Sequence, residues 1–87
     1  MKSFENKVAA ITGAGSGIGR ALAVELVKRR CEVALSDVDE AGLTETVELV
    51  RRYGVKVSSK KVDVAKREEV HAWADEVVED HGRCNLI

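Results

Sequence analysis

Three glycines in the order Gly13-x-x-x-Gly17-x-Gly19, set between an apolar run and a segment of helical periodicity, constrain this chain more than anything else in it. The run before them, Lys7-Val8-Ala9-Ala10-Ile11, is short, apolar and bounded by turn residues, as a buried strand is. After them, from Ile18 to Arg30, Ile18, Leu22 and Leu26 fall in one helical row with Ala23 and Val27 beside it. A strand must therefore turn sharply into a helix within a few residues. Glycine permits positive φ at such a turn, and without a Cβ it lets another group come close to the backbone.

The same alternation continues along the chain. Glu32-Val33-Ala34-Leu35-Ser36 reads as a second strand. Asp39 is placed to cap a second helix with Leu43, Val47 and Val50 as its inner row and Gly54 as its stop. Val55, Val57, Val62 and Val64 indicate a third strand, and the polar stretch from Ser58 to Lys61 gives it the character of an edge. A third helix is expected from about Ala65 to His81, burying Val70, Ala74 and Val77, with Trp73 along its margin and Gly82 ending it. His81 in its last turn suits the helix dipole. Asn85-Leu86-Ile87 reads as the start of a fourth strand.

Strands and helices that alternate in this way predict an α/β fold with a parallel sheet, because parallel strands need long connections. The expected architecture is an incomplete doubly wound parallel sheet, strand order 3-2-1, with a stub of strand 4 beside strand 1. So short a stub would leave much of the Val8–Ile11 edge unpaired, and with helices that cover one sheet face missing, the apolar faces at Val8, Ala10, Val33 and Leu35 are expected to be partly exposed. The sequence contains no proline and no Gly/Ser-rich linker, so residues 1–87 are expected to form one continuous unit.

Composition removes several function classes. At 87 residues and a net charge of −1, the chain lacks the basic footprint of a nucleic-acid binder. No apolar run approaches the ~18–20 residues of a membrane span. The polar start from Met1 to Lys7 is unlike a signal peptide. Two cysteines, Cys31 and Cys84, are too few for a disulfide framework or a zinc site, which favours a reducing cytoplasm. His71 and Asp75 are one helical turn apart, but two ligands do not make a metal site, and none is expected.

The glycine segment carries the chemistry. At a strand-to-helix turn, the free amides of the first helical turn and the helix dipole favour a diphosphate. Asp37, at the end of the second strand and twenty residues after Gly17, is placed to accept the hydroxyls of an adenosine ribose. Its carboxylate would repel a 2′-phosphate, so NAD is expected in preference to NADP. Taken alone, Asp37 would be a turn residue or a cap; with the glycines beside it, cofactor binding is the better reading.

Thr12-Gly13-x-x-x-Gly17-x-Gly19 resembles the cofactor motif of the short-chain dehydrogenase/reductase family, classical type, and the resemblance runs the length of the chain. It implies that residues 1–87 are the N-terminal part of a single Rossmann domain whose catalytic part is absent. It also implies that Asp63-Val64, after the third strand, grip the adenine, although Asp63 could also cap the third helix. Ser16 stands where members that prefer NADP often carry a basic residue, which again points to NAD. Asn85 replaces an Asp often found there. The implied cofactor residues are Gly13, Ser16, Gly17, Ile18 and Gly19 at the diphosphate, Asp37 at the ribose, and Val38, Asp63 and Val64 around the adenine.

The family's chemistry uses a Tyr-x-x-x-Lys pair with a Ser and an Asn, and no catalytic residue is expected within this chain. Tyr53 is its one tyrosine and has Val57, not a lysine, four residues on. The full-length relative is expected to pass hydride between NAD and a small secondary alcohol or ketone, and to form homo-oligomers. The alternatives are a nucleotide-binding module without chemistry and an unstable truncated fragment.

Overall fold

The computed structural model describes residues 4–85. Strands β1 (Val8–Ile11), β2 (Glu32–Asp37) and β3 (Val57–Lys61) alternate with helices α1 (Gly17–Lys28), α2 (Glu40–Val50) and α3 (Arg67–His81), and a 3₁₀ turn, Arg51–Tyr53, follows α2. The sheet order is β1-β2-β3. The central β2 runs parallel to both neighbours, with Val8 opposite Glu32 and Ile11 opposite Leu35 on one side, and Val33 opposite Val57 and Asp37 opposite Lys61 on the other. Leu86 and Ile87 of the expected fourth strand lie outside the described residues. Asn85 does engage the free edge of β1: its amide donates to the Val8 carbonyl at 2.8 Å, and its Oδ1 accepts from the Val8 amide at 3.0 Å.

Every residue of β1 is buried, as expected of a parallel strand covered on both faces. The two-residue period divides the sheet between two cores. Ala9, Ile11, Val33 and Leu35 meet Ala23, Leu26 and Val27 of α1 and Leu43 and Val50 of α2. Val8, Ala10 and Ala34 meet Trp73 and Val77 of α3, together with Val62. The expectation of partly exposed sheet faces is therefore wrong: Val8, Ala10, Val33 and Leu35 are at most 5% exposed, because these three helices already cover both sides.

Two helices present a different row from the one expected. In α1, Ile18 and Leu22 are 88% and 47% exposed, and the inward row is Gly19, Ala23, Leu26 and Val27. In α3, Trp73 is not marginal but 5% exposed, and Ala74 faces out. Burying Val77 beside it is worth on the order of 1.5 kcal/mol or more to the docking of α3.

Asp39 caps α2 as expected, accepting from the Gly42 amide at 3.1 Å. The N-cap of α3 is Lys66 rather than Asp63, and Glu68 and Glu69 in its first turn suit the dipole. His81 does more than face the C-terminal dipole of α3. Its side chain is fully buried, with Nδ1 2.8 Å from Glu32 Oε1 and Nε2 2.7 Å from Ser58 Oγ, so it joins α3 to the starts of β2 and β3. His71 and Asp75 are exposed, and no cluster of three or more candidate metal ligands occurs among the described residues. No described helix is long and apolar enough to cross a membrane.

Candidate functional site

Beyond Ile11 the chain leaves the sheet and reaches α1 through Thr12–Ser16. Gly13 and Gly17 sit at φ +65° and +54°, where a side chain is strained, yet a Cβ on either would meet nothing within 4 Å. Their requirement is conformational. That of Gly19 is steric: a Cβ there would lie 2.1 Å from the Gly13 carbonyl oxygen, so α1 can pack against the loop only as glycine. Ser16 is the N-cap of α1, extended and exposed, and its side chain makes no capping bond. The first-turn amides of α1, at Gly17, Ile18 and Gly19, have no intrahelical acceptor by the geometry of a helix. The Ile18 side chain stands in the open beside them.

Asp37 ends β2 at the same end of the sheet as the glycine loop. Its Oδ2 accepts from the Gly15 amide at 2.7 Å, and its Oδ1 accepts from the Asp39 amide at 3.0 Å. The Asp39 amide above all, helped by those of Gly15 and Val38, holds this carboxyl below its ordinary range, against an opposing effect of partial burial. Glycine at position 15 leaves room for this contact, since a Cβ would come within 2.7 Å of Asp37 Oδ2 and displace the carboxylate.

Asp63 follows β3. Its Oδ1 accepts from the Ala65 amide at 2.9 Å, and its own amide donates to Glu69 Oε1 at 3.1 Å. A cleft of about 240 Å³ opens between the three strand ends, lined by Thr12 and Gly13 after β1, Asp37 and Val38 at the end of β2, and Val62, Asp63 and Val64 after β3. Val38 and Val64 are 61% and 62% exposed at its walls. The fold thus gathers Gly13, Asp37, Val38, Asp63 and Val64 around one cleft. Ser16, Gly17, Ile18 and Gly19 form the adjoining turn into α1.

Sequence reasoning missed the group that braces this loop from the side of α2. Arg20 Nη2 donates to the carbonyls of Gly15 at 2.6 Å and Gly42 at 3.0 Å, and Nε donates to Thr46 Oγ1 at 2.8 Å. The Thr46 hydroxyl donates to the Ala14 carbonyl at 2.6 Å. Gly42 lets α2 come this close, because a Cβ there would be 2.5 Å from the Gly15 carbonyl oxygen. One signal was available. A glycine inside a helix costs ~1 kcal/mol relative to alanine, so it often marks a close contact.

An open parallel sheet with a glycine turn after β1 and a carboxylate ending β2 defines a Rossmann-like nucleotide-binding fold. Residues 7–87 match the model of the short chain dehydrogenase family, and the chain belongs to that family. It is 58% identical over 87 residues to a putative oxidoreductase, SadH, of Mycobacterium tuberculosis, covering 100% of this chain and 32% of that protein. Among solved structures, NAD⁺-bound xylitol dehydrogenase superposes with a TM-score of 0.93 at 37% identity, over 97% of this chain and 32% of that one. A short-chain dehydrogenase from Burkholderia phymatum in complex with NAD gives 0.91 at 41%, over 98% and 30%. An NADPH-dependent 3-quinuclidinone reductase from Rhodotorula rubra gives 0.86 at 37%, over 95% and 32%, so likeness of fold does not choose between the two cofactors. The chain spans about a third of the length of the curated relatives it matches.

Proposed function

We propose that this chain binds the adenosine diphosphate half of NAD and contributes that function to an oxidoreductase acting on a small secondary alcohol or ketone. The observation that carries the reading is the position of Asp37, which shares the cleft at the strand ends with Gly13 and Asp63. With an adenosine there, Asp37 accepts the ribose hydroxyls, Val38 and Val64 cover the faces of the adenine, and Asp63 lies at its edge. The diphosphate meets the amides of the turn from Gly13 through Ser16, Gly17, Ile18 and Gly19, where the positive end of α1 favours its charge. When bound, the nicotinamide dinucleotide supplies or receives the hydride. The residues of this chain hold it and keep its adenosine end in register.

Proton transfer belongs to groups this chain does not contain. Tyr53 precedes β3, at the end of the sheet opposite Asp37, and has no lysine four residues on. The 87 residues by themselves are therefore inactive as a dehydrogenase. A reducing cytoplasm suits Cys31, a buried thiol whose pKa burial pushes up.

Calorimetric titration of the gene product that carries residues 1–87 tests the proposal. NAD should bind at least about tenfold more tightly than NADP, since like charges ~4 Å apart repel by on the order of 1–4 kcal/mol near a protein surface. Equal or tighter binding of NADP would remove Asp37 from the ribose. Absence of binding to either cofactor would defeat the reading as a whole.

A further inference from the structure

All four backbone polar groups of Ala14 and Gly15 are held from outside the loop. The Ala14 amide donates to the Ser36 carbonyl at 3.0 Å, and the Ala14 carbonyl accepts from Thr46. The Gly15 amide donates to Asp37, and the Gly15 carbonyl accepts from Arg20. Two of these anchors come from β2, one from α1 and one from α2. The anchors from α1 and α2 meet at Arg20, which spans Gly15, Gly42 and Thr46 and lies 3.5 Å from Glu45 Oε2. Thr46 is wholly buried, so its hydroxyl has no water to replace Arg20 or Ala14. Without these anchors the short loop between β1 and α1 would be free to sample several conformations, glycine by glycine.

We infer that Arg20, acting through Thr46 and Gly42, is a positioning residue for dinucleotide binding. It does not touch the ligand; it fixes the Gly15 carbonyl directly and the Ala14 carbonyl through Thr46, so that the amides following them are already aimed at the diphosphate. This rests on the proposed NAD binding and adds a division of labour within the site. Asp37 and the adenine cleft read the nucleoside, whereas the Arg20 brace sets the affinity for the phosphates. Preorganisation of this kind lowers the entropy lost when the ligand orders a loop. Lysine cannot replace arginine here, because its ammonium is a point donor and cannot span two carbonyls and a hydroxyl in one plane.

The test titrates NAD and adenosine separately into the gene product carrying residues 1–87 and into its Arg20→Met, Arg20→Lys, Thr46→Val and Thr46→Ser variants. Arg20→Met should weaken NAD by about tenfold or more, the order of loss that a misplaced binding group produces, while adenosine affinity stays within about twofold. Arg20→Lys should recover only part of the loss. Thr46→Val should behave like Arg20→Met, and Thr46→Ser, which keeps the hydroxyl, should bind NAD as the parent does. NAD affinity unchanged in Arg20→Met overturns the inference, as does a parallel loss of NAD and adenosine, which would mark a general structural role. A parent protein that binds no NAD would overturn the proposed function, and this inference with it, before any substitution is compared.

Discussion

Gly19→Ala separates two opposed physical expectations. Read as a helix position alone, the change should stabilise α1, since alanine is favoured over glycine by ~1 kcal/mol in a helix interior. The packing gives the opposite sign. The added Cβ would lie 2.1 Å from the Gly13 carbonyl oxygen, 2.7 Å from its carbonyl carbon and 3.0 Å from Ala14 Cα. All three are backbone atoms, so no side chain can swing aside. Restoring an ordinary carbon–oxygen separation requires α1 or the loop to move by roughly 1 Å, and forced displacements in a packed core cost ~1–3 kcal/mol or more. The loop cannot yield alone, because its next residues are tied to Ser36, Asp37, Arg20 and Thr46. After the propensity gain the net expectation is a loss of up to ~2 kcal/mol, or up to about 16 °C in Tm for a domain of this size. Urea unfolding of parent and variant measures the free energy, and NAD titration measures the displaced loop. A Gly19→Ala protein at least as stable as its parent would refute the close approach of α1 to the loop.

Three further perturbations follow from the same geometry. Gly13→Val places a β-branched residue at φ +65°, so NAD binding should be lost while circular dichroism reports an intact fold, and normal binding would reduce the loop to a turn. The Asp37 carboxyl is depressed below its ordinary value of 3.8, so its stabilising contribution is complete above that value and disappears as pH falls through the lower folded value. Asp37→Asn should flatten this acid limb of the stability profile, and an unchanged limb would assign it to other carboxylates. His81→Ala removes a fully buried ring that partners Glu32 and Ser58, and should cost ~1–3 kcal/mol in urea unfolding; a change below ~0.5 kcal/mol would contradict the role given to that cluster.

Local pattern was sufficient where the signal came from neighbours in sequence. The apolar runs at Val8–Ile11 and Glu32–Ser36, the cap at Asp39 and the stop at Gly82 are short-range consequences of burial, capping and chain chirality, and each falls within a residue or so of where the sequence places it. The glycine spacing and the acid at the end of the second strand were legible for the same reason: a turn between strand and helix leaves few residue types able to make it.

Orientation and long-range partnership were decided only in three dimensions. In α1, the rows Ile18–Leu22–Leu26 and Gly19–Ala23–Leu26 share a residue and differ by about one position in rotation, so periodicity cannot choose between them. The contact of Gly19 with the loop chooses, and it turns Ile18 and Leu22 outward. In α3, Trp73 and Ala74 both lie near the line from Val70 to Val77, and the space above Val8 and Ala10 is filled by the larger ring. Arg20 with Gly42 and Thr46, and His81 with Glu32 and Ser58, join residues up to 49 positions apart. Such pairs leave no periodic trace in one sequence. They exist because parallel strands bring distant turns to the same end of a sheet, where buried polar groups must find partners or lose the energy of their hydration.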